Sequence, residues 1–311
     1  IFEGNSIPAW DKTNKVPENF SFGEFQENFE HFEPYLASAI KRFPVLETAG
    51  IRKFFSGPES FTPDTNTLLG EVPEVKNFFV CCGLNSIGIG SGGGVGKVTA
   101  EWLINGHINE DIFSYDIKRF QKFHSELGFI KKRITESLGD LYGMHWPFKQ
   151  HKTSRNVKTL PHHDNLKSFG ACFGVSGGYE RPMWFALDGE KAEYEYSYNY
   201  QSWYPSAEYE TNNTIKNVGL FDLTPFSKFE IKSEKAHQEL QKICTANIKN
   251  EPGKCVYTHM LNPDGGIETD LTVVCIDKNH FRIISSAATR ERDKFHIKKH
   301  LSKDIELKDI T

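Results

Sequence analysis

The feature of the sequence best suited to chemistry is a glycine-rich segment at residues 83–97, which reads Gly-Leu-Asn-Ser-Ile-Gly-Ile-Gly-Ser-Gly-Gly-Gly-Val-Gly-Lys. A buried-strand pattern precedes it at 77–82, and a helical pattern follows at 98–104, with Asn105-Gly106 as its stop. A strand, a glycine loop and a helix in this order point backbone N–H groups and a helix dipole at an anion. The segment therefore predicts an anion or cofactor site, with a ligand-free tight turn as the alternative.

Two familiar phosphate-binding patterns fit this segment poorly. A Walker A loop would need glycine at Ser91 and a hydroxyl residue at Val98. A dinucleotide fingerprint is formally present at Gly88, Gly90 and Gly93, but no βαβ continuation follows it. A third interpretation is a helix N-terminus packed close to a flat cofactor, where glycine lets the backbone approach.

Other candidate chemistry is sparser. Asp270 follows a Gly-Gly turn, where a carboxylate could act in acid–base chemistry or be an ordinary turn residue. The run His162-His163-Asp164 has no third ligand at motif spacing, so we predict no metal site. None of the six cysteines forms a C-x-x-C pair, which predicts reduced thiols, and Cys81 and Cys82 lie in an apolar run typical of a core.

Composition bounds the class of protein. The 311 residues suggest about two domains, and 38% hydrophobic with 25% charged residues excludes a disordered chain. The formal net charge of −4 gives no indication of a nucleic-acid partner. No apolar run reaches the roughly 18 residues of a membrane span, so we expect no membrane association.

The elements around these candidates predict an α+β or α/β multidomain fold. Apolar residues spaced by three or four at 25–43 predict a helix that kinks or restarts at Pro34. Alternating tyrosines at 194–200 predict a half-buried strand. The last hundred residues predict a separate unit with a helix at 234–244, a turn at 262–266, and strands at 219–231, 255–261, 271–276 and 281–286.

Longer stretches in a fixed order carry a family resemblance. Residues 57–64, 69–80, 83–89, 100–106 and 116–120 resemble the flavin amine oxidoreductases of the dimethylglycine and sarcosine dehydrogenase family. Residues 178–185 (Gly-Tyr-Glu-Arg-Pro-Met-Trp-Phe) resemble that family's middle domain. Residues 219–229 and 257–270 resemble the folate-binding domain shared with the glycine-cleavage T-protein.

The resemblance implies the cofactors FAD and tetrahydrofolate. The residues it places beside the isoalloxazine ring are Gly83, Leu84, Asn85, Ser86, Ile87 and Gly88. It implies that the helix, starting near Gly93, aims its N-terminus at the flavin and stabilises the negative charge left by amine oxidation. In the folate half it implies Asp270 as the catalytic acid, with Phe226, Tyr257 and Met260 on the pocket wall.

The implied domain order is the C-terminal portion of an FAD-binding domain at 1–110, a middle domain at 111–210 and the start of a folate-binding domain at 211–311. Within the first, residues 1–56 would belong to the substrate domain and 57–110 to the FAD domain. The family's N-terminal dinucleotide fingerprint is not in the sequence. We therefore expect a segment of a longer polypeptide, inactive on its own.

The implied activity is that of an FAD-dependent amine dehydrogenase or oxidase. The whole protein would demethylate dimethylglycine or sarcosine and pass the one-carbon unit to tetrahydrofolate, with an electron-transfer flavoprotein or oxygen as acceptor. The expected location is the mitochondrial matrix or the bacterial cytoplasm. The alternative is a non-catalytic regulatory subunit resembling that of pyruvate dehydrogenase phosphatase.

Overall fold

The computed structural model describes residues 6, 8–10, 15–141 and 143–311. Helix α1 spans Phe29–Arg42, and the side chain of Asn28 caps it by accepting a hydrogen bond from the His31 amide at 2.9 Å. The helix continues through Pro34 without restarting there. On its apolar side the rings of Phe29 and Phe32 pack against Phe54.

A two-stranded hairpin supports the glycine-rich segment. Strands β1 (Leu68–Glu71) and β2 (Phe79–Cys82) pair antiparallel, and helix α2 (Gly88–Asn105) follows. Trp102 of α2 lies so close to Gly70 that a Cβ there would come within 2.5 Å of the indole ring, at a backbone φ of +104°. Only glycine satisfies both constraints, and the indole thereby fixes α2 on the hairpin.

The middle of the chain is helical and irregular. Two short 3₁₀ turns, Ile117–Arg119 and Lys122–Ser125, lead into helix α3 (Leu127–Leu141). Helix α4 (His163–Ser168), the hairpin of β3 (Ala171–Ser176) and β4 (Tyr179–Phe185), and helix α5 (Tyr204–Lys216) come next.

The last unit is a five-stranded antiparallel sheet in the order β6-β7-β8-β5-β9. Its strands are β5 (Ser227–Lys232), β6 (Cys255–Leu261), β7 (Ile267–Asp277), β8 (His280–Ser285) and β9 (Leu307–Asp309). Helices α6 (Ala236–Ile243) and α7 (Arg290–His300) contribute Leu240 and Ile297 to the buried core on one face. The strict alternation along β7 buries Leu271, Val273 and Cys275 there and leaves Asp270 exposed on the other face.

Four sequence-based expectations are wrong. Helix α2 begins at Gly88, not near Gly93 or at Val98, because a glycine run has no side-chain periodicity to reveal a helix. Residues 219–226 are not strand; Asp222 accepts a hydrogen bond from the Thr224 amide, and Pro225 has no N–H to pair.

The other two corrections concern exposure and local folding. The tyrosine run 194–200 is irregular with a bend at 198–200, and the rings of Tyr194 and Tyr196 stack at 5.4 Å instead of lining a strand. Cys81 and Cys82 are exposed, because the two-stranded hairpin buries little of β2 within the described residues. All six cysteines are free thiols in the structure.

Candidate functional site

The loop that joins β2 to α2 is held by one buried amide. Asn85 is 2% exposed, and its Oδ1 accepts hydrogen bonds from the Thr62 amide at 2.8 Å and the Thr62 hydroxyl at 3.2 Å. Its Nδ2 donates to the Gly83 carbonyl at 2.5 Å. The side chain of Asn85 is therefore engaged inside the protein, and it positions the loop instead of facing a ligand.

The loop backbone adopts left-handed conformations at three of the six predicted positions. The φ angles are +64° at Gly83, +49° at Asn85 and +66° at Ser86. Asparagine tolerates this region better than most residues, whereas serine there stores conformational strain. The strained turn directs the chain from the hairpin into α2, so Ser86, Ile87 and Gly88 lie at the start of the helix.

The N-terminus of α2 is open. Ile87 is its N-cap residue and gives no side-chain cap, and the first helical bond there runs from the Ser91 amide to the Ile87 carbonyl. The preceding amides of the first turn therefore have no partner within the helix. They also carry the positive end of the helix dipole, so this end favours negative charge.

The glycines of α2 leave a bare surface beside that end. A Cβ built on any of five of them would meet no atom of the described structure within 4 Å; these are Gly90, Gly92, Gly93, Gly94 and Gly96. None of the residues of α2 is buried, and Ile89 is fully exposed. A flat ring could rest against this backbone, so the geometry fits an isoalloxazine group held near Gly83–Gly88, with Leu84 half-buried behind the loop.

The second predicted centre lies on the open face of the sheet. The Tyr257 hydroxyl donates a hydrogen bond to Asp270 Oδ2 at 3.1 Å, and both side chains are exposed. Hydrogen bonding to the Asp270 carboxylate raises the pKa of Tyr257. His259 stands opposite Asp270 in the β6–β7 register, with its ring 5.3 Å from that of Tyr257. Sequence analysis missed His259, although alternation from Tyr257 puts it on the same face.

The other two predicted folate residues lie elsewhere. Met260 is completely buried in the helix-covered core, so it does not share a face with Asp270. Phe226, 38% exposed, precedes β5, and its carbonyl accepts a hydrogen bond from Lys228 at 2.7 Å. Of the four residues predicted for the folate site, the structure therefore brings together Asp270 and Tyr257.

One possible metal group was not foreseen. Glu136 and Asp140, one helical turn apart on α3, place carboxylate oxygens within 4.8 Å of each other and of a His151 nitrogen. Glu136 already accepts hydrogen bonds from the amides of Lys152 and Thr153, and Lys149 binds Asp140 at 2.5 Å. These carboxylates therefore already have hydrogen-bond or ion-pair partners within the protein. In the described residues His162 and His163 belong to no such group.

A buried acid at the start of α7 was also missed. Asp293 is completely buried, and the Thr289 hydroxyl donates to its Oδ2 at 2.7 Å. Burial raises the pKa of Asp293 to about 6. Sequence gives little warning of this, because an Asp in the first turn of a charged helix is usually exposed.

Three family models match the chain in sequence order. They are the FAD dependent oxidoreductase at residues 9–102, the FAD dependent oxidoreductase central domain at 105–159 and the GCVT N-terminal domain at 162–311. The chain belongs to the family of sarcosine and dimethylglycine dehydrogenases. This confirms the predicted family and fold class, and FAD and tetrahydrofolate as the cofactors of that family. The predicted boundaries near 110 and 210 remain predictions.

Similar proteins come from bacteria and mammals. The 4-methylaminobutanoate oxidase (formaldehyde-forming) of Paenarthrobacter nicotinovorans is 39% identical over 96% of this chain and 36% of its own length. Mouse pyruvate dehydrogenase phosphatase regulatory subunit is 34% identical over 100% of this chain and 36% of its own. Human sarcosine dehydrogenase is 35% identical over 90% of this chain and 33% of its own length. The chain thus spans about a third of each relative.

Proposed function

We propose that the whole protein carries out FAD-dependent oxidative demethylation of an N-methyl amine such as sarcosine or dimethylglycine, and passes the one-carbon unit to tetrahydrofolate. The ordered matches to two FAD oxidoreductase domains and a GCVT domain support the pairing of these two activities in one family. When bound, FAD supplies the two-electron oxidation of the amine.

The observation that carries the oxidative half is the bare, uncapped start of α2. Unpaired amides of the first turn would face the edge of the flavin on which negative charge develops, and a preorganised dipole stabilises such charge without reorganisation. Asn85 contributes by fixing the loop on Thr62, so that Gly83, Leu84, Ser86, Ile87 and Gly88 hold their positions.

For the folate half, the pair formed by Tyr257 and Asp270 is the candidate catalytic group. A carboxylate on an open sheet face can accept a hydrogen bond from a folate nitrogen or stabilise a cationic carbon–nitrogen species. Tyr257 orients that carboxylate through its 3.1 Å hydrogen bond. Phe226 and Met260 would then act through packing rather than through contact with the reacting atoms.

The reaction requires an electron acceptor, because a reduced flavin must be reoxidised before the next turnover. We propose an electron-transfer flavoprotein or oxygen in that role, and the mitochondrial matrix or bacterial cytoplasm as the location. The mammalian relatives are named as mitochondrial, and the 4-methylaminobutanoate oxidase comes from a bacterium. No helix in the described part of the chain is both long and apolar enough to span a membrane.

The regulatory subunit of the mouse phosphatase supports a second candidate, because it aligns with the entire chain at 34% identity. In that case the architecture would serve an interaction protein without amine oxidation. A whole protein that binds flavin but is not reduced by any N-methyl amine would favour this regulatory function.

The test uses the whole protein under anaerobic conditions. Addition of sarcosine or dimethylglycine should bleach the flavin absorbance, and tetrahydrofolate should trap the one-carbon unit. Asp270→Asn should keep the bleaching and lose the folate-dependent trapping, which separates the two halves. A protein that purifies without flavin, or whose flavin is not reduced by any N-methyl amine, would falsify the oxidative proposal.

A further inference from the structure

A cavity of about 270 Å³ lies where the three matched segments meet. Pro63 and Asp64 form one wall, residues between Phe113 and His151 form the base, and Gly177, Gly178 and Ala288 close it from the folate-related segment. The cavity is distinct from the open face of Asp270 and from the bare surface of α2. A space of this size accepts a small metabolite, below the roughly 300–1,000 Å³ of drug-sized pockets.

Two arginines line the cavity, and their environments differ. Arg119 forms a bidentate pair with Asp64, at 2.6 Å from Nε and 2.9 Å from Nη2. Its Nη1 donates to three backbone carbonyls. The charge of Arg119 is therefore balanced by Asp64, and its donors are satisfied.

Arg133 has no such balance. It is 7% exposed, its Nη2 donates to the carbonyl oxygens of Thr153 and Ser154, and its Nε is buried without a hydrogen-bond partner in the described structure. Its guanidinium lies 5.1 Å from the ring centre of Phe129. A buried guanidinium bonded to neutral carbonyls alone is costly unless an anion compensates it.

The acids near Arg133 are already engaged. Glu136 accepts hydrogen bonds from the amides of Lys152 and Thr153. Glu180 forms a two-point contact with Arg155 at 2.7 and 2.5 Å. Both attract Arg133 at longer range, but neither forms a hydrogen bond with it.

The remaining titratable groups add no negative charge. His124 lines the cavity, and burial lowers its pKa to about 4; burial also lowers the pKa of His151, so both rings are neutral near pH 7. Lys158 lies behind a smaller adjoining cavity and donates to Gln121. The cavity therefore presents a buried guanidinium whose Nε has no hydrogen-bond partner in the described structure and which no carboxylate contacts directly.

We propose that this cavity binds a small organic carboxylate, with its charged end at Arg133 and its alkyl part against the aromatic walls. Phe113, Phe120 and Phe129 supply an apolar lining that a hydrated phosphate would not use. A monoanion matches the one cavity-lining guanidinium that forms no hydrogen bond with a carboxylate, that of Arg133. Because the walls come from all three matched segments, the bound acid would contact all three at once.

The test is saturation-transfer NMR of butyrate with the whole protein, with the neutral butyramide as the matched ligand. Butyrate should bind saturably and butyramide should not. Arg133→Gln should weaken butyrate binding by roughly tenfold or more, because it removes a charge-assisted contact. Arg52→Gln, an exposed arginine elsewhere, should leave binding unchanged. The flavin absorbance reports any binding at the amine site separately, and butyrate binding is measurable even if no flavin is present.

A second variant covers the case in which Arg133→Gln does not fold, as judged by circular dichroism. Ala288 is exposed at the cavity wall, so Ala288→Leu should fill the space and abolish butyrate binding without unfolding the protein. The proposal would be overturned if Arg133→Gln and Ala288→Leu, where they fold, bound butyrate as well as the wild type does. Equal binding of butyramide, or displacement of butyrate by lower concentrations of inorganic phosphate, would also overturn it.

Discussion

Asn85 shows how one buried side chain can fix the loop between β2 and α2. Its amide joins the loop to Thr62 by two accepted hydrogen bonds and closes the turn by a donated one. Its own backbone is left-handed, with φ of +49°. A single residue thus meets both a conformational and a hydrogen-bonding requirement.

Asn85→Ala should destabilise the protein by about 2 to 4 kcal/mol, because it leaves the buried Thr62 amide unpaired and puts a residue without a local hydrogen-bonding side chain in the left-handed region. Asn85→Asp keeps an acceptor for Thr62 but replaces the Nδ2 donor by an oxygen that faces the Gly83 carbonyl in a buried site, so it should also destabilise the protein. Urea unfolding measures both. If Asn85→Ala lowered the free energy of unfolding by less than about 0.5 kcal/mol, the loop would be held by other contacts.

Asp293 presents the opposite case, a residue whose preferred charge conflicts with its location. Its pKa rises to about 6 in the fold, against roughly 3.9 for an exposed Asp. The folded state therefore binds more protons than the unfolded state between these values, and the free energy of unfolding falls as pH rises from about 4 to about 6. Above about pH 6 the destabilisation caused by the buried, ionised carboxylate no longer changes with pH.

Asp293→Asn removes this titration and should be more stable than wild type at neutral pH by roughly 2 to 3 kcal/mol, with the advantage vanishing near pH 4. Urea unfolding at several pH values measures the difference. Glu291→Gln, in the same helical turn, is the matched control. An Asp293→Asn advantage that does not change with pH would contradict the assignment.

At the scale of elements, α2 is a helix whose sequence works against helix formation. Its glycines cost about 1 kcal/mol each relative to alanine, and its residues contribute nothing fully buried to a core in the described structure. Trp102 against Gly70 and the C-cap at Gly106, with φ of +74°, hold it in place. In the function proposed above, close approach of the flavin would account for so costly a glycine face.

Gly90→Ala should therefore raise the stability of the flavin-free protein by about 0.5 to 1 kcal/mol, because its Cβ meets open space in a helix. Gly90→Leu should instead lower the flavin content of the purified holoprotein. Gly50→Leu, at another open and exposed glycine, is the control and should retain flavin. Full flavin content in Gly90→Leu would place the ring elsewhere.

The sequence predicted elements well where side chains alternate with burial. Strands β6, β7 and β8 were located to within a few residues, because one face of each is apolar and the turns between them contain Gly or Asn. The tyrosine run at 194–200 has the same alternation, but no strand of the described structure pairs with it. The start of α2 was missed because its glycines give no side-chain periodicity, and the burial of Asp293 was missed because it depends on tertiary packing.

At the scale of the whole molecule, individual side chains join the three matched segments. Lys118 is 4% exposed, pairs with Asp116 at 2.9 Å, and places its ammonium about 5 Å from the rings of both Trp102 and Phe295. It thereby connects α2 to α7. A second tie runs from the end of α2 to the β6–β7 turn, where His107 Nε2 lies 2.5 Å from Asp264 Oδ2.

The tie at His107 should depend on pH, because the hydrogen bond to Asp264 raises the pKa of His107 above 6.5. Its stabilisation is complete below the unfolded value and is lost as pH rises through the folded pKa. A double-mutant cycle of His107→Gln and Asp264→Asn, measured by urea unfolding, should show coupling at about pH 6 and none at about pH 9. The surface pair Lys235 and Asp304, 2.8 Å apart, is the control, and its coupling should be equal at both pH values. Equal coupling at both pH values for His107 and Asp264 would show that the contact does not depend on the imidazolium charge.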